Sequence, residues 1–227
     1  MKLENVGKNY DRLARSYDFW DRWVAEPLAG ISGLREQTVA TLELAAGHRV
    51  LDIGCGTGLN LPLLVEAVGP EGSVVALDYS QGMLDRAQLK VERSGWRNVT
   101  LVQGDAAKLE GVGEDFDAVM STWALGIVDD LPSALRRAVE VLKTGGRLTI
   151  LDLHRTRASS GLRRRVLDPV VHCVLRAAGV DSKEDLDEDR LWARWEEGKA
   201  LLRESLEDVH IEENVRGSGF LLTGRKP

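Results

Sequence analysis

"VLDIGCGTGLN", residues 50–60, decides the fold: a short apolar run stops at an acid, Asp52, and glycine then stands at 54, 56 and 58. Glycine tolerates positive φ and contacts that a Cβ would block, so this spacing implies a tight loop whose backbone something approaches closely. A helix opening near Leu59, with Pro62 in its first turn, completes a strand–loop–helix unit. In open α/β sheets such a loop lies at the carboxyl edge, where small ligands bind.

Working outward, apolar strand-like runs alternate with amphipathic helical stretches over the first two thirds of the chain, the pattern of a parallel sheet wrapped by helices. The strand candidates are "RVLDI" (49–53), "SVVALD" (73–78), "VTLVQ" (99–103), "FDAVMS" (116–121) and "RLTILD" (147–152). Between the second and third, Leu84, Ala87 and Val91 share a helical face that ends at Gly95. After the fourth, Asp130 can cap a helix with Pro132 in its first turn and Leu135, Ala138, Val139 and Leu142 on one face, closed by glycines. Residues 155–206 lack strand signals, and "DVHIEENV" (208–215) with "GFLLTGRK" (219–226) returns to β-like alternation.

Two further acids sharpen the reading of the glycine loop. Asp78 ends the second strand and Asp105 follows the third, so three strands each deliver a carboxylate to the same crevice. An acid after the second strand can accept hydrogen bonds from both hydroxyls of a ribose, and one after the third can take a proton of an adenine amino group. The dinucleotide fingerprint requires glycine at position 59, where Leu59 stands, and the loop has no P-loop lysine. Both features weigh against a nicotinamide-dependent oxidoreductase and a nucleoside-triphosphate enzyme.

Composition limits the partners. With 227 residues, 43% of them hydrophobic, the chain suits one large domain with an ample core. A formal charge of −6 argues against nucleic acid as a partner, because phosphate contacts normally show up as a basic excess. The two cysteines, Cys55 and Cys173, lie far apart in sequence, which suits a reducing compartment rather than a disulfide framework. The opening residues mix both signs of charge without a signal-peptide stretch, and no run is long enough to span a bilayer, so a cytoplasmic location is expected. No compact His/Cys/carboxylate cluster has metal-ligand spacing, and no metal is expected.

Taken together, the motifs resemble the class I S-adenosylmethionine-dependent methyltransferases over about Tyr10 to Asp152. "VLDIGCGTG" is similar to that family's first motif, "VVALDYSQGML" to its acidic loop, "NVTLVQGDAAKL" to its adenine loop and "LKTGGRLTILD" to the turn into its fifth strand. The resemblance implies one α/β domain over 1–227, with a Rossmann-like, mostly parallel seven-stranded sheet, an antiparallel C-terminal strand and helices on both faces. It also implies N-terminal lid helices over about 1–30 and a helical cap inserted over about 155–206. S-adenosyl-L-methionine would be the methyl donor, S-adenosyl-L-homocysteine the product, and no metal would be needed. Gly54, Gly56 and Gly58, with Cys55 between them, would let backbone approach the aminoacyl part of the cofactor. Asp52 would orient its ammonium directly or through water. Asp78 would hold the ribose, Met83 would pack on adenine, and Asp105 with the Ala106 backbone would read its edge, with Tyr79 and Thr122 completing the cofactor site.

The acceptor is less legible. "NYDRLARSYDFWDRW" (9–23) resembles the N-terminal helix of methyltransferases acting on quinone precursors and phospholipid amines, which implies a site-closing role for Tyr17. The spacing of Tyr10 and Tyr17 also suits a plain core seam. Trp123, in "MSTWALGIVDD" (120–130), would wall the acceptor pocket or stack on adenine; this segment departs from the Asn/His-centred version of quinone-type relatives and is closer to phospholipid N-methyltransferases. His154, just past the fifth strand, could deprotonate the acceptor or serve as a hydrogen-bonded loop histidine. The arginine-rich stretch 154–176 could touch an anionic membrane surface or pack as a solvated helix. The expected function is methyl transfer to a small-molecule acceptor, a polar amine or a phospholipid headgroup amine. C- or O-methylation of a quinol-like ring is the alternative, and a non-catalytic cofactor-binding module is the alternative of another class.

Overall fold

Side-chain alternation along the central strands divides the interior into two cores, one on each face of a single sheet. The computed structural model describes Asp11, Ala14 and residues 33–154, 188–214 and 217–227. Its strands are β1 (Arg49–Ile53), β2 (Ser73–Asp78), β3 (Val99–Gln103), β4 (Phe116–Thr122), β5 (Leu142–Leu153), β6 (Glu207–Asn214) and β7 (Gly219–Arg225). They form one seven-stranded sheet in the order β3-β2-β1-β4-β5-β7-β6. β1 to β5 pair in parallel, whereas β7 runs antiparallel to both β5 and β6.

On one face Val50, Val74, Ala76, Ala118 and Met120 meet α1 (Leu34–Ala40), α2 (Leu61–Val68) and α3 (Gln81–Ser94) through Val39, Leu61, Leu64, Leu84, Ala87 and Val91. On the other, Leu51, Ile53, Val75, Leu77, Val119, Leu148 and Ile150 meet α4 (Leu131–Glu140) and α5 (Glu188–Ser205). The helices stop and start as their sequences dictate. Ser80 caps α3 by accepting from the Met83 amide, and Gly95 ends it in the left-handed region at φ 68°. Asp130 caps α4 by accepting from the Ser133 amide. Leu131 and Leu135 of α4 are fully buried, and each such side chain contributes about 1.5–3 kcal/mol.

Two boundaries differ from the sequence reading. α4 ends at Glu140, and Leu142, expected on its face, instead opens β5 opposite Phe116. The glycine pair 145–146 does not break this strand, because the Gly145 amide donates to the Lys226 carbonyl and the Lys226 amide to the Gly146 carbonyl. The second difference concerns the expected cap: its described part is α5, which inserts Leu191, Trp195 and Leu202 into the core against α4 and the sheet. The arginine-rich stretch beyond His154, Tyr10 and Tyr17 lie outside the described residues.

Candidate active site

The chain runs from β1 outward to β2 and β3, then returns across β1 to β4, so the strand order reverses between β1 and β4. Loops leaving those two strands diverge there and open a crevice at the carboxyl edge. A cleft of about 910 Å3, its open mouth included, lies at this place. Its wall runs from Ile53–Thr57 after β1 through Asp78–Ser80 after β2 and Gly104–Ala106 after β3 to Thr122–Val128 after β4, with Arg35 at one side.

The glycines of the opening stretch are required for different reasons. Gly54 has φ 72°, and a Cβ there would stand 2.2 Å from Ala124 Cβ, so the loop after β4 is what presses on it. Gly56 has φ 55° and lines the cleft, yet a Cβ there would meet nothing within 4 Å; its open side faces space for a ligand. Gly58 is not part of the cleft wall, and α2 and α3 crowd it through Leu61 and Ala87.

Asp78 joins two of the cleft's loops. Its Oδ2 accepts from the Gly56 amide at 2.7 Å and its Oδ1 from the Ser80 amide at 2.9 Å. Each carboxylate oxygen has a second acceptor position, so capacity remains for ligand hydroxyls. Burial raises its carboxyl above the usual range, and the amides of Ser80, Gly56 and Tyr79 oppose that rise. Asp105 lines the cleft and accepts from the Ala107 amide, which fixes the turn holding Ala106. Met83, Tyr79, Cys55 and Thr122 also line it. Burial, then the Asp78 and Asp52 carboxylates, push the Cys55 thiol well up, so it is no thiolate nucleophile.

Asp52 is fully buried and is not part of the wall. Asn60, at the start of α2, donates to it at 3.1 Å and to Thr122 Oγ1 at 3.0 Å, while Arg35 donates to Asn60 Oδ1 at 3.1 Å and to Thr122 Oγ1 at 3.4 Å. The carboxylate therefore reaches the cleft only through this relay. Burial pushes it up to about 7, against the opposing Asn60 amide and Arg35 guanidinium. Arg35 and Asn60 were not singled out from the sequence. Asn60 ends the quoted motif and could have been suspected; Arg35 sits in no motif and is brought in by α1.

Trp123 lines the cleft in a left-handed conformation at φ 57°, which costs a non-glycine residue about 1–2 kcal/mol. His154 does not line it. It is 1% exposed, with Nε2 3.2 Å from the Gly217 carbonyl and Nδ1 3.1 Å from Lys199 Nζ, and its ring lies against Trp192 and Phe220. Lys199 also bonds Glu196 and stands over the Phe220 ring. Asp11, from the N-terminal segment, accepts from Ser80 Oγ at 2.5 Å and from the Gly82 amide at 2.8 Å. A Cβ on Gly82 would fall 2.9 Å from Asp11 Cα, so that glycine admits Asp11 to the first turn of α3. Among the described residues no group of three His, Cys, Asp or Glu side chains is disposed to hold a metal, and no helix is long and apolar enough to cross a membrane.

A sheet of this order, with acids at the carboxyl ends of β1 and β2 and after β3 and an open glycine at the switch point, defines the class I methyltransferase fold. The comparisons agree with that fold: residues 50–146 match the family model for the methyltransferase domain. The chain is 34% identical over 151 residues to a demethylmenaquinone methyltransferase of Listeria welshimeri, a match covering 66% of this chain and 63% of that protein. A demethylmenaquinone methyltransferase of Symbiobacterium thermophilum is 32% identical over 162 residues, covering 66% of this chain and 60% of the relative. The matches thus span less than two thirds of those relatives' length. In fold, the chain is similar to the N-methyltransferase NodS from Bradyrhizobium japonicum in complex with S-adenosyl-L-homocysteine, with TM-score 0.67 and 18% identity over 98% of this chain and 99% of that one. It is also similar to phosphoethanolamine N-methyltransferase 2 of Haemonchus contortus, with TM-score 0.62 and 17% identity over 85% of this chain and 52% of that one.

Proposed function

We propose that the protein transfers a methyl group from S-adenosylmethionine to a ring carbon or oxygen of a quinol-like acceptor. The cofactor half of the cleft fits the donor. Asp78 keeps acceptor positions for the ribose hydroxyls, Asp105 and the Ala106 backbone stand where an adenine edge would be read, and Met83 offers a packing face. The open side of Gly56 leaves room for the aminoacyl part, with Arg35 and the Asp52–Asn60–Thr122 relay beside it. A sulfonium-bound methyl is already activated, so the chain's task is to align the acceptor and exclude water.

The observation that carries the acceptor reading is the wall left over once those groups are assigned. Trp123, Ala124, Leu125, Ile127 and Val128 form it, and among the described residues it presents no carboxylate. Such a wall favours a flat, neutral, largely apolar ring over a cationic headgroup. The names of the relatives point the same way. A polar amine is the second reading, supported by Trp123, whose indole face could attract a methylated ammonium by about 0.5–2 kcal/mol.

Incubating the protein with methyl-labelled S-adenosylmethionine and reduced demethylmenaquinone, in parallel with phosphoethanolamine, tests the choice. Label in the ring product is expected. Label in the amine product would overturn the ring reading, and label in neither, with S-adenosylhomocysteine still bound, would favour a binding module over an enzyme.

A further inference from the structure

The acceptor wall does not hold itself in place. From Trp123 to Val128 the chain turns sharply off β4, and only one turn of 3-10 helix, Leu125–Ile127, shapes it. Its anchors come from other elements. The Trp123 amide donates to the Leu151 carbonyl of β5 at 2.8 Å. Ala124 presses on Gly54. Arg194 of α5 donates to the carbonyls of Gly126 and Val128.

A buried anchor is Asp152, near the end of β5. It faces the same core as Leu148 and Ile150 and is 5% exposed. Its Oδ2 accepts from the Gly126 amide at 2.9 Å and its Oδ1 from the Leu153 amide at 2.7 Å. One N–H donor thus meets each oxygen of this side chain. Only an ionised carboxylate offers acceptors alone on both oxygens; an asparagine would turn an NH2 group toward one of these amides. Gly126 fits beneath it because a Cβ there would lie 3.2 Å from Asp152 Oδ1 and 3.3 Å from Trp195 Nε1.

We propose that Asp152 is a positioning residue for the acceptor: by holding the Gly126 amide from the end of β5 it fixes the turn that presents Trp123, Leu125 and Ile127 to the cleft. It does not line the cleft and touches neither reactant. Its effect falls on acceptor alignment, while Asp78 and Asp105 stand on the loops after β2 and β3. The assignment rests on the methyltransferase reading for its kinetic consequence; the anchoring itself does not.

The test is Asp152→Asn in the full chain, read in three ways. Amide hydrogen exchange over 123–128 should quicken by about tenfold or more while exchange over 73–78 stays unchanged. Affinity for S-adenosylhomocysteine, measured by calorimetry, should stay within about threefold of the parent. Methyl transfer to reduced demethylmenaquinone should fall by about tenfold or more, in kcat or in acceptor KM, at saturating cofactor. Unchanged exchange over 123–128 overturns the anchoring. A loss of cofactor affinity equal to the loss of turnover, or quickened exchange with full turnover, overturns the positioning role. Failure of the parent protein to methylate any acceptor would instead strike the functional reading and leave the exchange result to judge the anchor. Should Asp152→Asn not fold, the parent protein decides: the Gly126 amide should exchange as slowly as those of β4, and exchange as fast as that of Asp129 and Asp130 overturns the proposal.

Discussion

Alanine at Gly54 and alanine at Gly56 should do opposite things, though the two residues are two positions apart in one loop. At Gly54 the new methyl would lie 2.2 Å from Ala124 Cβ. Carbon atoms pack best at about 3.5–4.0 Å, so the loops after β1 and β4 must separate by more than an ångström. Overpacking of that kind costs about 1–3 kcal/mol, and the left-handed backbone at φ 72° adds about 1–2 kcal/mol. The sum, about 2–5 kcal/mol, corresponds to a fall in melting temperature of about 4–20 °C for a chain of this size. At Gly56 the methyl enters open space, so folding bears only the conformational cost at φ 55°, about 1–2 kcal/mol. That methyl occupies room assigned to the cofactor, and a clash worth about 1–3 kcal/mol weakens binding roughly five- to a hundredfold or more. Thermal melts and calorimetric titration with S-adenosylhomocysteine on both variants read the contrast. A Gly56→Ala protein that binds with the parent affinity, or a Gly54→Ala protein that melts with the parent, would refute the reasoning.

Three other outcomes follow from the same geometry. Asp52, pushed up to about 7, binds its proton more tightly folded than unfolded; its contribution to stability is fully present below its unfolded value near 4 and is lost as pH rises through 7. The melting temperature of Asp52→Asn relative to the parent should therefore rise between pH 5 and pH 8, and a relative fall would mean the carboxylate is stabilised as an ion. His154→Ala should destabilise the fold by about 1–3 kcal/mol, because Lys199 loses a buried partner, yet leave turnover of the folded enzyme intact; a turnover loss of about a hundredfold across the pH range would restore His154 as a base. Trp123→Ala should lower methyl transfer by about tenfold or more with little change in cofactor affinity, and equal losses in both would erase the division of the cleft into two halves.

The sheet was readable because its central strands are buried on both faces and so appear as continuous apolar runs; β1 and β2 fall where "RVLDI" and "SVVALD" place them, and the half-exposed edge strand β3 falls at "VTLVQ". The start of β5 was not. Leu142 fits a helical face by spacing, and only its pairing with Phe116 and the contacts of Lys226 with Gly145 and Gly146 turn it into a strand, none of which local pattern reports. Most of the residues that line the cleft could be named because strand ends carry them to one edge. Arg35, Asp11 and Asp152 could not, since each acts through partners 25 to 87 residues away in sequence. His154 shows the converse: its place at the end of β5 suggested the crevice, but its ring sits between Lys199 and the Gly217 carbonyl, away from the cleft wall.

The central claim is that one cleft, organised by Asp78, binds the methyl donor, and a calorimetric titration of S-adenosylhomocysteine into the parent protein and Asp78→Ala tests it most directly. The parent should show one site per chain with a dissociation constant of about 1 μM to 1 mM, the span of ordinary enzyme–substrate affinities. In Asp78→Ala, losing hydrogen bonds to a charged group removes about 1.5–3 kcal/mol, so affinity should fall about ten- to a hundredfold in a protein whose circular dichroism shows it folded. No binding by the parent, or parent-like affinity in the variant, would contradict the account.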